Sequence, residues 1–287
     1  MEKGKYCDLH THSIYSDGTV TPRAILDEAE RLGLSAVALT DHNTTAGLTE
    51  FLRAAQGKRV KAVSGVEFST DYGDGELHIL GLFLKPQDFE KIEDRVAILK
   101  KNKAESNAKL VENLRRGGFE IDLEQIKSQT PNGHINRAHI AAALAEKGYV
   151  KSIREAFETL LKKDGEFYVQ TKRLDAFETV AFIKELGGVA VLAHPFLDLT
   201  ETELIEFLKT AKPYGLDGME TRYSTFDDEM TATLERIAAE FGLLCSGGSD
   251  FHGERKPDIA LGVGRGALKV PTAYFETLYN RFEKSAI

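Results

Sequence analysis

The chain reads as an α/β protein in which a parallel sheet or barrel is interrupted by a helical insertion. Three observations predict it. Apolar strands alternate with amphipathic helices at short intervals up to residue 88 and again from residue 166, which is the rhythm of consecutive βαβ units. Between residues 89 and 165 that rhythm gives way to helical patterning alone. Histidines and acids gather at the carboxyl ends of the apolar strands, and in an α/β barrel those ends face one mouth.

The elements follow in order. The stretch DLHTHSIYSDG, residues 8–18, opens the chain as a strand that ends in an Asp-Gly turn. Thr21-Pro22 is a capping residue followed by proline at the first helical position, and Gly33 stops the helix. The strand SAVALTDHN ends in Asp41 and His42, and a short helix carries Leu48, Phe51, Leu52 and Ala55. VKAVSGVEFS is a strand ending near Glu67, and ELHILGLFL, entered through the turn GDG, holds His78. Residues 89–165 read as four or five helices, including NRAHIAAALAEKG and SIREAFETLLKK. The pattern then resumes with helix–strand pairs leading into VAVLAHP, LDGMETRY and LLCSGGSDFH, and AYFETLYNRFEK closes the chain as an amphipathic helix. The expected organisation is a barrel domain of residues 1–88 and 166–287, with residues 89–165 as an insertion.

The totals fit one large domain with an insertion. At 287 residues, 42% hydrophobic and 29% charged, the chain resembles an ordinary globular protein able to bury a sizeable core. No apolar run approaches the ~18 residues a membrane span needs. A net charge of −8 argues against a broad surface that tracks nucleic-acid phosphates. It leaves room for an anionic substrate, because bound cations reverse the local charge of a cleft. The first motif begins at residue 8 and leaves no space for a signal peptide, and Cys7 and Cys245 lie in apolar runs as core residues, so a cytoplasmic setting is expected.

The chemistry lies in the polar residues. His10 and His12 stand two apart, and in an extended segment side chains at i and i+2 share a face, so both imidazoles aim at one point. Six of the eight histidines (His10, His12, His42, His78, His194 and His252) lie at or near strand ends, together with Asp17, Glu67 and Asp250. A catalytic zinc uses about three protein ligands. Nine candidate ligands therefore exceed what one ion needs and fit two or three divalent ions. Imidazole and carboxylate donors suit manganese, iron or zinc.

HTHSIYSDG, LTDHN, GVE, AHP and GGSDFH, in this order and spanning residues 8–252, resemble the motifs of the polymerase and histidinol phosphatase (PHP) superfamily of metal-dependent phosphoesterases. The resemblance implies a distorted (β/α)7 barrel with a two- or three-metal cluster at its mouth. The insertion, with NRAHIAAAL, is most similar to the subgroup of nucleoside 3',5'-bisphosphate phosphatases and ribonucleases that trim RNA 5' ends. On this resemblance His10, His12, Glu67 and Asp250 hold one metal. Glu67 bridges to a second, shared with His78 and His194, and Asp17, His42 and His252 hold a third. Catalysis is expected to rest on His10, His12, Glu67, His194 and Asp250, by attack of a metal-bound hydroxide on a phosphate monoester of a small nucleotide. Arg137 and His139 on the insertion are the leading substrate contacts, since arginine suits bidentate phosphate binding. Lys172 and Arg222 are further candidates, Arg265 a weaker one, and His134 reads as a loop residue. Asp41 is expected to orient a ligand histidine or cap the turn that follows it. Short RNA is an alternative substrate and histidinol phosphate another. A metal-binding module without activity is disfavoured by the full ligand set. No membrane association and no obligatory protein partner are expected.

Overall fold

The computed structural model describes residues 4–128, 135, 137–163 and 165–285. In chain order the elements are β1 (Tyr6–Cys7), α1 (Pro22–Leu32), β2 (Ala36–Leu39), α2 (Leu48–Ala54), β3 (Lys61–Tyr72) and β4 (Gly75–Leu82). Four helices follow: α3 (Phe89–Arg116), α4 (Leu123–Ser128), α5 (Arg137–Glu146) and α6 (Ile153–Glu158). The series ends with β5 (Leu174–Asp175), α7 (Ala176–Glu185), β6 (Val189–Leu192), α8 (Glu201–Ala211), β7 (Gly218–Tyr223), α9 (Asp228–Phe241), β8 (Leu244–Gly248), β9 (Val270–Pro271) and α10 (Thr272–Ser285). The chain divides into two compact units, Met1–Arg95 with Leu174–Ile287, and Val96–Arg173.

Local chemistry explains the helix ends of the first unit. Thr21 accepts a hydrogen bond from the Ala24 N–H, Pro22 occupies the first turn, and Gly33 ends α1 in the left-handed region at φ 75°. Asp175 caps α7, Thr200 and Glu203 form a reciprocal capping box on α8, and Asp227 caps α9.

The sheet of the first unit runs β2-β3-β4-β6-β7-β8, with β5 beside β3. Residues 8–12 close it. The Asp8 N–H donates to the Ala36 carbonyl on one side, while the Leu9 N–H donates to the Gly247 carbonyl and the Asp250 N–H to the His10 carbonyl on the other. The result is a distorted α/β barrel. The opening strand is shorter than its sequence suggests: only Tyr6–Cys7 form a strand, paired antiparallel with β9, and His10 and His12 lie on the extended segment beyond it. The sheet also departs from an all-parallel pattern, because β4 runs antiparallel to both β3 and β6. A tight turn between Tyr72 and Gly75, with Gly73 at φ 56°, joins β3 and β4 as a hairpin. β3 therefore continues past Glu67 to Tyr72 instead of ending near it.

Inside the barrel Leu9, Ala38, Val63, Leu80, Leu82, Val191 and Val270 pack as one cluster. Each Val or Leu buried here contributes about 1.5–3 kcal/mol relative to its exposed state. Gly248 is fixed by close approach, since a Cβ there would stand 2.4 Å from the His10 Cβ and 2.5 Å from the His10 N. The second unit has its own core, built on Leu110, Leu114, Ile121, Ile140, Leu144 and Leu161. Among the described residues no helix is long and apolar enough to cross a membrane.

Candidate metal centre

The closing segment 8–12 and the ends of β2, β6 and β8 bring their polar residues to one place, around Glu67. This carboxylate is almost fully buried. Its Oε1 lies 2.7 Å from His78 Nδ1 and 3.1 Å from His194 Nε2. Its Oε2 lies 3.1 Å from His42 Nδ1 and 3.2 Å from both His10 Nε2 and His12 Nε2. The hairpin explains the His78 contact. In the β3–β4 register Ser69 faces His78, so Glu67 is the diagonal neighbour on the same face. Asp250 Oδ1 stands 3.1 Å from His12 Nε2 and 3.4 Å from His252 Nδ1, and Asp17 Oδ1 stands 3.1 Å from His252 Nε2.

Donor atoms within 4.8 Å of one another form three overlapping groups: His10, His12 and Glu67; His42, Glu67 and His78; and His12, Asp17, His42 and His252. Hydrogen bonding inside the protein satisfies them only in part. The Nε2 atoms of His10 and His12 face each other at 3.0 Å. His12 Nδ1, His42 Nδ1, His194 Nδ1 and Glu67 Oε2 are buried without a hydrogen-bond partner. An unpaired buried polar atom costs about 1–3 kcal/mol. A set of converging nitrogen and carboxylate lone pairs is satisfied by divalent cations, so the residues fit the expected metals.

Electrostatics agree. Burial alone would hold His10 neutral, but Glu220, Glu67 and Asp250 lift its pKa well above the ordinary value. The same contest of burial against carboxylates raises His12 to about 9, through Asp250 and Glu67, and His78 to about 10, chiefly through Glu67. His42 goes the other way, to about 3, because burial dominates and His12 and His78 repel its charge. Glu67 and Asp250 are pulled well below the usual carboxylate range by the imidazoles, against the opposing effect of burial. The cluster thus demands positive charge. Cation uptake would displace protons from the raised imidazoles.

Four neighbours escaped the sequence reading. Glu220, an acid inside a buried strand, accepts from His10 Nδ1 and from the His194 N–H. Tyr223 Oη donates to Asp250 Oδ2 at 2.6 Å, Lys256 Nζ reaches the same oxygen at 2.6 Å, and Asp198 lies 3.6 Å from His194 Nδ1. His194 and Asp250 both have positive φ, 26° and 55°, a conformation that is sparsely populated outside glycine and recurs at functional sites.

Asp41 makes no hydrogen bond or ion pair with the clustered histidines. It accepts from the Ser13 N–H, Ser13 Oγ and Ser16 Oγ, each at 2.7 Å, and anchors the loop that carries Asp17. Arg222 is turned away from the cluster. A bulge between Glu220 and Arg222 shifts the register of β7 on β8, and the guanidinium pairs with Glu235 at 2.9 Å and stands over the Tyr274 ring. Arg265 pairs with Asp258 at 2.8 Å. Arg137 and His139 lie on α5 of the second unit, where the Arg137 guanidinium covers the rings of Phe157 and Tyr168. Lys172 is exposed in that unit and its carbonyl accepts from Asn102. His134 falls outside the described residues.

A distorted α/β barrel with imidazoles and carboxylates converging at its strand ends defines the class of metal-dependent hydrolases. The particular family follows from comparison with known proteins. The PHP domain model matches residues 8–173, and the chain belongs to that family. A 5'-3' exoribonuclease of Haemophilus influenzae is 32% identical over 86% of this chain and 90% of its own length. A 3',5'-nucleoside bisphosphate phosphatase of Chromobacterium violaceum is 30% identical over 88% of this chain and 90% of its own. Among solved structures, a protein of Bifidobacterium adolescentis proposed to be a metal-dependent phosphoesterase superposes with a TM-score of 0.75 at 30% identity, covering 98% of this chain and 97% of its own. The chain is a metal-dependent phosphoesterase of the PHP family.

Proposed function

We propose that the substrate is a phosphate monoester of a small nucleotide, of the nucleoside 3',5'-bisphosphate kind, and that the product is the nucleotide with one phosphate fewer. The observation that carries this reading is the convergence of five imidazoles on the buried Glu67 carboxylate, where His42 Nδ1 and Glu67 Oε2 are buried without a hydrogen-bond partner. The activity of the Chromobacterium relative supports the substrate class.

His10, His12, Glu67 and Asp250 would hold one ion; Glu67, His78 and His194 a second; Asp17, His42 and His252 a third, each being Mn, Fe or Zn. Such ions neutralise phosphoryl charge and lower the pKa of a bound water from ~15.7 towards ~7. The protein's own residues then do the positioning. Glu67 joins two of the ligand groups through its separate oxygens. Tyr223 and Lys256 fix the second oxygen of Asp250, leaving the first for the cluster. The strand ends and the buried hydrogen bonds hold these groups before substrate arrives, so the chemical step needs little reorganisation.

Arg137, His139 and Lys172 are proposed as substrate contacts from the second unit, Arg137 for its planar fork of donors. The boundaries of that insertion belong to the same proposal, as does a cytoplasmic setting. A 5'-3' exoribonuclease acting on short RNA is the second reading, supported by the Haemophilus relative.

The test is phosphate release in the presence of manganese from adenosine 3',5'-bisphosphate, mononucleotides, histidinol phosphate and short 5'-phosphorylated RNA. Preferential release from the bisphosphate is expected. Mononucleotides liberated stepwise from RNA, with the bisphosphate untouched, would establish the second reading, and activity confined to histidinol phosphate would overturn both.

A further inference from the structure

The carboxylate of Glu220 is fully buried, at 0% exposure, in the middle of β7. A buried carboxylate is costly unless each oxygen finds a donor. Both do, and both donors belong to candidate metal ligands from different parts of the chain. Oε1 stands 3.1 Å from His10 Nδ1, and Oε2 accepts from the His194 backbone N–H at 2.8 Å. The first contact fixes the His10 ring. With Nδ1 directed at Glu220, the opposite nitrogen is the one that faces Glu67, His12 and Asp250. The second contact holds the backbone of His194 in its positive-φ conformation, from which its Nε2 reaches Glu67 Oε1 at 3.1 Å. The bulge in β7 isolates this role: Glu220 faces the barrel interior, while Thr221 and Arg222 meet Tyr274 on the outer side.

We infer that Glu220 is a positioning residue that sets two metal ligands at once, presenting His10 through Nε2 and His194 through its constrained backbone. The inference rests on reading the Glu67 cluster as a divalent-cation site. Glu220 acts through the His10 ring and the His194 backbone, so its effect belongs to metal affinity. Glu220→Gln keeps the size of the side chain but offers one acceptor oxygen in place of two. Its amide must turn N–H donors towards either the His10 ring or the His194 N–H. Carboxylates that orient metal-binding histidines contribute ~10–100-fold to affinity.

Manganese binding measured by calorimetry on the full chain is expected to weaken 10–100-fold in Glu220→Gln, with KM at saturating manganese within about twofold of wild type. Equal affinity in the two proteins, or a raised KM with unchanged affinity, would overturn the inference while leaving the metal reading intact. A wild-type chain that binds no manganese would overturn both. A second measurement needs no variant. In wild-type protein loaded with ¹¹³Cd, scalar coupling is expected between cadmium and His10 Nε2, with Nδ1 bearing its proton. Coupling to Nδ1 would refute the inference even if Glu220→Gln fails to fold.

Discussion

Glu67→Gln is the most informative single change. It removes one negative charge and leaves the side chain's shape. Five imidazole nitrogens stand 2.7–3.2 Å from this carboxylate, three at Oε2 and two at Oε1. The side chain is 1% exposed, so solvent screens these contacts little. Removing one partner of a buried charge pair costs about 3–5 kcal/mol, which corresponds to about 100- to 4,000-fold in affinity. Both oxygens are engaged, so the loss should fall on two ions together. Metal content after dialysis against micromolar manganese, read by elemental analysis, is expected to fall by at least two ions per chain relative to wild type. Phosphate release should fall by at least ~100-fold, while circular dichroism shows a retained fold. A variant that keeps its ions and works within tenfold of wild type would refute the bridging role of Glu67.

Other perturbations separate the parts of the site. His12 and His78 are raised to about 9 and about 10 from an ordinary 6.5, so their contribution in the metal-free protein is full below about pH 6.5 and is lost as pH climbs through 9–10. The Tm of chelator-treated protein should therefore fall across that window, and manganese affinity should rise across it with protons released on binding. A flat Tm and pH-independent affinity would contradict the charge assignment. Asp41→Asn removes the charge that anchors Ser13 and Ser16. It should weaken the ion held by Asp17, His42 and His252 by ~10–100-fold while sparing the His10 group, seen as a drop of one ion per chain. Arg222→Ala should leave metal content unchanged and lower stability by about 1–2 kcal/mol in urea unfolding, because the Glu235 pair it breaks is only partly buried. Loss of metal in that variant would place Arg222 in the site after all.

The helices were legible because their signals are local: Thr21, Pro22 and Gly33 write both ends of α1 within a dozen residues. The convergence of the histidines was legible because strand ends in an α/β barrel collect at one mouth, whatever the pairing of individual strands. What stayed hidden depends on pairing. The short turn in GVEFSTDYGDGELHIL already excludes parallel neighbours, which need a long crossover, but the length of β3 beyond Glu67 and the diagonal contact of Glu67 with His78 emerge only with the register. Glu220 and Arg222 share a face in an ideal strand, and the bulge that parts them leaves no mark in GMETRY. A single acid in a strand otherwise buried was the one available hint. Lys256 reaches Asp250 from a loop, which no periodicity describes.

Anomalous scattering from crystals grown with manganese tests the metal cluster most directly. At least two peaks are expected among His10, His12, His42, His78, His194 and Asp250, with Glu67 touching two of them through different oxygens. Density showing these side chains in the same places with no anomalous peak between them, at manganese concentrations that support activity, would contradict the metal reading.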